Sequence, residues 1–193
     1  MTYPELAASF AAQGLALRGG FHPTPSDDVP DLPNGRPTGT LLMLGWTGGR
    51  QWPAFAASPE YGDGKPNPLD RWSRRLIGAA ALSLGGLALY PFGGPPHLPF
   101  LRWAARAEAV TPSPLGLLIH PDWGLWHAWR GAIGLPQRIN LPERDQRASP
   151  CIQCPTRPCH ARADFDAARA ACPVGAPYSA AQQAFHRKAA GRV

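Results

Sequence analysis

The sequence predicts an α+β fold: a sheet flanked by helices, followed by a small cysteine-rich C-terminal tail. Three observations carry this. Two segments, "YPELAASFAAQG" and "NPLDRWSRRLIGAAALSLGG", repeat apolar residues at helical spacing. "TLLMLGW" is an unbroken apolar run of strand length, the pattern of a strand buried on both faces. All four cysteines fall after residue 150, behind the charged, proline-bounded stretch "PERDQRASP". The body is therefore read as residues 1–142, and the linker with its tail as 143–193.

Taken in order, "YPELAASFAAQG" places Leu6, Phe10 and Ala11 on one helix face and ends at Gly14. "LALRGGFHP" follows as a strand. "PTPSDDVPDLPNGRPTG" is a turn-rich loop with a tight turn at Asn34-Gly35. After the buried strand "TLLMLGW", "GRQWPAFAAS" starts a helix. In "NPLDRWSRRLIGAAALSLGG", Leu69, Trp72, Leu76 and Ala80 line one face. Asp70 lies in its first turn, where the helix dipole favours negative charge, and Gly85-Gly86 ends it. "LALYPF" reads as a strand, "LPFLRWAARAEAV" as a helix. "LGLLIHP" and "LWHAWRGAIGL" read as a hairpin around "PDWG". "ADFDAARAA" and "SAAQQAFHRKAA" are short helices of the tail.

Composition narrows the function. The chain has 193 residues, 44% hydrophobic and 17% charged, which is globular rather than disordered. Its 24 prolines and 21 glycines foretell many turns. The net charge of +6 comes from scattered arginines and not from a dense basic run, so nucleic acid is disfavoured as a partner. An anionic cofactor or an acidic redox partner suits the same field. The N-terminus lacks the basic start and apolar run of a secretory signal. The apolar stretch "LIGAAALSLGGLALY" has fifteen residues before prolines break it. A spanning helix needs about 20. The expectation is a cytoplasmic protein with no membrane segment, where clustered thiols serve metal or redox chemistry rather than disulfides.

The cysteine spacing is Cys151-x2-Cys154-x4-Cys159-x12-Cys172-Pro173. A Cys-x2-Cys pair aims two thiolates at a common centre, which suits zinc and iron equally. Soft thiolates exclude magnesium and calcium. The closing Cys-Pro is a feature of bacterial ferredoxin motifs, though there the last interval is shorter. Three outcomes stay open: a 4Fe-4S cluster, a structural zinc, or no metal. His160, beside Cys159, reads as a surface residue.

Other candidates are more diffuse. His120 ends an apolar strand. Arg130 is a charge within an apolar strand and must be paired or face an open site. Trp126 packs in the core or lines a crevice. In "YPFGGPPHLPF", Gly93 and Gly94 allow a close backbone approach to a ligand, and His97 stands beside them. No nucleotide-binding glycine motif and no hydrolase nucleophile turn occurs.

The block "LGLLIHPDWGLWHAWRGAIGL" resembles a segment shared by two cobalamin-dependent families, epoxyqueuosine reductase and the cblC-type cobalamin-processing protein. The likeness rests on Ile119-His120-Pro121, Gly124, Trp126, Arg130 and Gly131. "NPLDRWSRRLI" is similar to a helix start of the second family. The whole chain resembles bacterial ferredoxin-like proteins that join such a body to a tail with two cysteine groups. Here "CIQCPTRPC" looks like the start of the first group and "ACPVGAPYSAAQQAFHRKAA" like the end of the second. The resemblance implies a nitroreductase-like antiparallel sheet and a crevice able to hold cobalamin or another corrinoid. Trp126 and Arg130 match positions of the second family, where the arginine belongs to the pocket for a thiol cosubstrate; with His120, Gly93, Gly94 and His97, read from the residues above, they are the candidate cofactor contacts. The resemblance further implies that Cys151, Cys154, Cys159 and Cys172 hold one cluster donating electrons to that cofactor or to a redox partner. The rival reading is a non-redox binding module with zinc or no metal.

Overall fold

Helix formation at the N-terminus begins where the Thr2 backbone N–H donates to the Glu5 carboxylate at 2.7 Å, satisfying a donor the helix itself leaves open. The computed structural model describes residues 1–161 and 165–189. Its elements run α1 (Tyr3–Ala12), β1 (Ala16–Phe21), β2 (Thr40–Thr47), α2 (Trp52–Ala56), α3 (Pro59–Gly62), α4 (Pro68–Ser83), β3 (Leu87–Leu89), α5 (Phe100–Ala107), β4 (Thr111–Pro112), β5 (Leu118–Ile119), β6 (His127–Leu135), α6 (Phe165–Ala170) and α7 (Ala180–Ala189). Short 3-10 turns occur at Pro25–Asp27 and Pro158–Ala161.

The class is mixed α+β, with a four-stranded antiparallel sheet flanked by helices. The strand order is β1-β2-β6-β3, and β4-β5 forms a separate two-stranded sheet. In the β1–β2 pairing Ala16 faces Gly45 and Phe21 faces Leu41, with an irregularity between Leu17 and Gly20. Every residue of β2 is buried, as its unbroken apolar run foretold. Among the described residues, no helix is long and apolar enough to cross a membrane.

The chain divides into two compact units: Met1–Trp46, Arg50–Glu108 and Trp129–Arg144 form one, and Thr47–Gly49, Ala109–Ala128 and Asp145–Val193 the other. The first is built around aromatic rings. Trp46 lies 5.9 Å from Phe55 and 5.8 Å from Trp72, and Phe55 lies 5.7 Å from Trp72. Each such buried ring contributes about 1.5–3 kcal/mol by leaving water. Arg18 and Glu108 form a buried ion pair in this unit at 2.7 Å, and the Trp129 indole N–H donates to the same carboxylate at 2.8 Å. Burial pushes the Glu108 carboxyl above its usual range, against the lowering pull of Arg18 and Trp129.

Two details differ from the sequence reading. The buried stripe of α4 is Trp72, Ser73, Ile77 and Ala81, while Leu69, Leu76 and Ala80 are half-buried. Trp72 stays in the stripe, while the rest of the face is turned toward the next residue along, by less than the roughly 100° that one residue spans. The cause is contact with β6: a Cβ on Gly131 would stand 2.6 Å from Ile77 Cδ1, so the glycine admits Ile77 against the strand. Ser73 tolerates burial because its hydroxyl donates to the Leu69 carbonyl at 2.7 Å. Second, the expected hairpin is not one ladder. β5 pairs with β4, Thr111 facing Ile119, while β6 joins the four-stranded sheet. His120 and Gly124 bridge the turn between them through hydrogen bonds of 2.9 and 3.0 Å.

Candidate functional site

All four cysteines belong to the second unit, and three local structures present them. Cys151 and Cys154 sit on a turn in which the Ile152 N–H donates to the Ser149 carbonyl (3.1 Å) and the Gln153 N–H to the Pro150 carbonyl (3.2 Å). Ser149 ties this turn to β4, since its hydroxyl accepts from Thr111 Oγ1 at 2.7 Å and lies 3.4 Å from the Cys151 N–H. Cys159 lies in the 3-10 turn Pro158–Ala161. Cys172 follows α6, its N–H donating to the Arg169 carbonyl at 3.3 Å.

The four thiols line one cavity of about 500 Å³, with Ile119, Ile152, Pro158 and Pro173 among its apolar walls. All four are free and half-buried. The Cys172 thiol is pushed up by its burial; the Val174 N–H, which donates to it, opposes this, and the other three cysteines add to it through their charge. Among the described residues, no three histidine, cysteine or acidic side chains stand close enough to share a single metal ion. His160 is exposed and is not part of the cavity wall.

His120 and Trp126 belong to the same unit and have packing partners there. His120 Nδ1 accepts the backbone N–H of Asp122 at 3.0 Å and faces that of Trp123 at 3.4 Å. Its ring stacks on Trp123 with centroids 3.8 Å apart. This places the histidine as the organiser of the Pro121–Gly124 turn. Trp126 is buried, packs edge-on against Tyr178 at 5.2 Å, and carries the Arg169 guanidinium over its ring at 4.1 Å. Arg169 also donates twice to the Leu125 carbonyl, at 3.1 and 2.8 Å. It thereby ties α6 to the segment that carries Trp126.

Arg130, Gly93, Gly94 and His97 belong to the first unit. Arg130 donates to the Asp70 carboxylate and to Ser73 Oγ (3.1 Å), and its guanidinium lies 5.2 Å from the Phe92 ring centre. Gly93 and Gly94 have φ of +78° and +124°. What approaches Gly93 is the Arg74 guanidinium, 3.0 Å from where a Cβ would be, and what approaches Gly94 is His97 Nδ1, also at 3.0 Å.

Three residues that shape the cysteine region were not singled out from the sequence for that role: Ser149, Arg169 and Gly175. A serine before Cys-x2-Cys and an arginine on a short helix carry no distinctive pattern. Gly175, following Cys-Pro-Val, was a signal available to be read. No protein family matches the chain, and no curated protein does.

Proposed function

We propose that this chain is an iron–sulfur electron-transfer protein in which Cys151, Cys154, Cys159 and Cys172 hold one 4Fe-4S cluster. The observation that carries this reading is the single cavity lined by all four thiols. The donor set fits the group. A tetrahedral zinc holds its thiolates at about 2.3 Å from one point, so they crowd within about 4 Å of each other. A cubane cluster binds each thiolate to a different corner iron and keeps them further apart. Four thiolates meet the ligand count of either metal, and the closing Cys172-Pro173 pair, a feature of ferredoxin motifs, favours the cluster over zinc.

When bound, the cluster supplies a one-electron couple. The protein residues bind and tune it. Val174 donates its N–H toward the Cys172 sulfur, which favours the anionic thiolate. Ile119, Pro158 and Pro173 provide the apolar wall that limits water. Ile152, 76% exposed within the Cys-x2-Cys turn, offers an apolar edge for a redox partner beside two of the ligands. The body is read as nitroreductase-like, a reading supported by its antiparallel sheet with helices on it. A reducing compartment such as the cytoplasm keeps such thiols available.

The test is anaerobic reconstitution with iron and sulfide, followed by absorption spectroscopy and metal analysis. A broad band at about 400 nm with about four irons per chain, the iron falling to about three or fewer on Cys151→Ala or Cys154→Ala, is the expected result for four-thiolate ligation. Stoichiometric zinc that resists exchange for iron, or a chain that takes up neither metal, overturns it.

A further inference from the structure

Three of the cysteines lie within nine residues of each other, but twelve residues separate Cys159 from Cys172. Local chain geometry can organise the first three. It cannot place the fourth, whose thiol must be brought to the same cavity by a contact distant in sequence.

That contact is between two backbones. A Cβ on Gly124 would stand 1.9 Å from the Val174 carbonyl oxygen and 2.7 Å from its carbon. A Cβ on Gly175 would stand 2.3 Å from the Trp123 carbonyl oxygen and 2.4 Å from its carbon. Both glycines have positive φ, +55° and +79°. The Trp123-Gly124 turn and the Val174-Gly175 segment therefore press on each other with no side chain between them. Neither side can yield as a flexible side chain would, because the obstructing atoms are carbonyls. His120 stiffens the turn from beneath, through its ring nitrogen and its stack on Trp123. Cys172 and Pro173 directly precede the clamped Val174, and Pro173 restricts the intervening chain.

We propose that Gly124 and Gly175 are positioning residues whose backbone-to-backbone contact holds Cys172 on the wall of the cysteine cavity as the fourth ligand. The proposal rests on the cluster reading above and extends it from the ligands to what aims one of them. An added methyl at either glycine pushes the 173–175 segment away by more than an ångström and withdraws the Cys172 thiol, leaving three thiolates in place.

The experiment compares reconstituted wild type with Gly124→Ala, Gly175→Ala, Cys172→Ser and Gly116→Ala. Gly116 is the control: it has φ +72° in the same unit, but nothing lies within 4 Å of where its Cβ would be. It imposes the backbone strain without the clash. Wild type and Gly116→Ala are expected to hold about four irons. Gly124→Ala and Gly175→Ala are expected to follow Cys172→Ser, with about three irons, the EPR signal of an oxidised three-iron cluster, and at least fivefold faster iron release to a chelator. Four irons and wild-type release rates in both alanine variants overturn the proposal, as does equal iron loss in Gly116→Ala. Should the alanine variants lose their circular dichroism, His120→Phe perturbs the same turn without a backbone clash and is expected to speed iron release at least twofold; an unchanged rate counts against the clamp.

A wild type that takes up no iron sinks the cluster reading instead. The clamp is then read from iodoacetamide labelling of the metal-free chain. Gly124→Ala is expected to raise the alkylation rate of Cys172 at least fivefold over wild type while leaving Cys151 unchanged, and equal rates at Cys172 overturn it.

Discussion

Arg130 on β6 is paired with Asp70 on α4, so the one charge within an otherwise apolar strand is met inside its own unit. The Arg130 side chain is 12% exposed and that of Asp70 34%. Ser73 accepts a further hydrogen bond from the same guanidinium.

Removing one partner of such a pair leaves the other poorly solvated. Arg130→Met is expected to cost about 2–3 kcal/mol, at the low end for a buried pair because Asp70 keeps some water. Asp70→Asn is expected to cost about 1–2 kcal/mol, with a coupling of about 1 kcal/mol in the double mutant. Urea unfolding followed by tryptophan fluorescence measures all three. Unchanged stability in Arg130→Met would show that the arginine's charge is held for something other than Asp70, such as an anionic cofactor.

How much of this was legible in the sequence follows from the range of the forces involved. The helix at α1, the buried strand β2 and the amphipathic α4 are written in local periodicity, and the chain forms them where that periodicity lies. The shift of the buried face of α4 toward Ser73, Ile77 and Ala81 was not legible, because it is set by Gly131, more than fifty positions away in sequence. The split of the expected hairpin has a similar cause. Thr111-Pro112 supplies a partner for Leu118-Ile119, and a two-residue strand has no periodicity to detect. For the site, cysteine spacing identified four thiols as one group, and they line one cavity. It could not supply the Gly124–Gly175 contact that brings the fourth to the rest. His120 stood out at the end of an apolar strand and Trp126 by its match to a family position, each with a structural role as its other reading. Their partners in the structure, backbone N–H groups for one and Tyr178 with Arg169 for the other, are tertiary and leave no mark nearby in the chain.

Metal removal gives a second prediction. The described residues that the Cys151–Ala189 stretch buries are few: Ala168, Tyr178 and Gln182. α6 has six residues, below the length at which a helix is stable alone. Ligand binding energy then becomes folding energy for this stretch. Treating the reconstituted protein with an iron chelator is expected to speed tryptic cleavage after Arg169 by about tenfold, by mass action on the folded form. The first unit, with its aromatic core, is expected to survive as a protected fragment. Mass spectrometry of the digest reads both. Equal cleavage rates with and without iron would show that the tail is held by its protein contacts alone.

Acid stability is expected to depend on Glu60 and Arg75. The Arg75 guanidinium donates twice to the Glu60 carboxylate, at 2.5 and 2.9 Å, and these hydrogen bonds hold the carboxyl down to about 2. In the unfolded chain a glutamate titrates near about 4.3. The folded value is the lower one, so the stabilisation is fully present above about 4.3 and is lost as pH falls toward 2. The size is set by the partner's solvation. Arg75 is half exposed, and an ion pair with one solvated member contributes about 1 kcal/mol rather than the larger figure the shift alone would give. Glu60→Gln is therefore expected to be less stable than wild type by about 1 kcal/mol at pH 7, with the gap closing between about pH 4 and pH 2. Asp63 beside Arg71 and Asp122 beside Arg147 are also held below the usual carboxylate range, so both proteins weaken in acid. The difference between the two curves isolates Glu60. High salt should shrink that difference at pH 7, because half of the pair faces solvent. A gap that stays constant from pH 7 to pH 2 would mean that the carboxylate is held by packing and not by its charge.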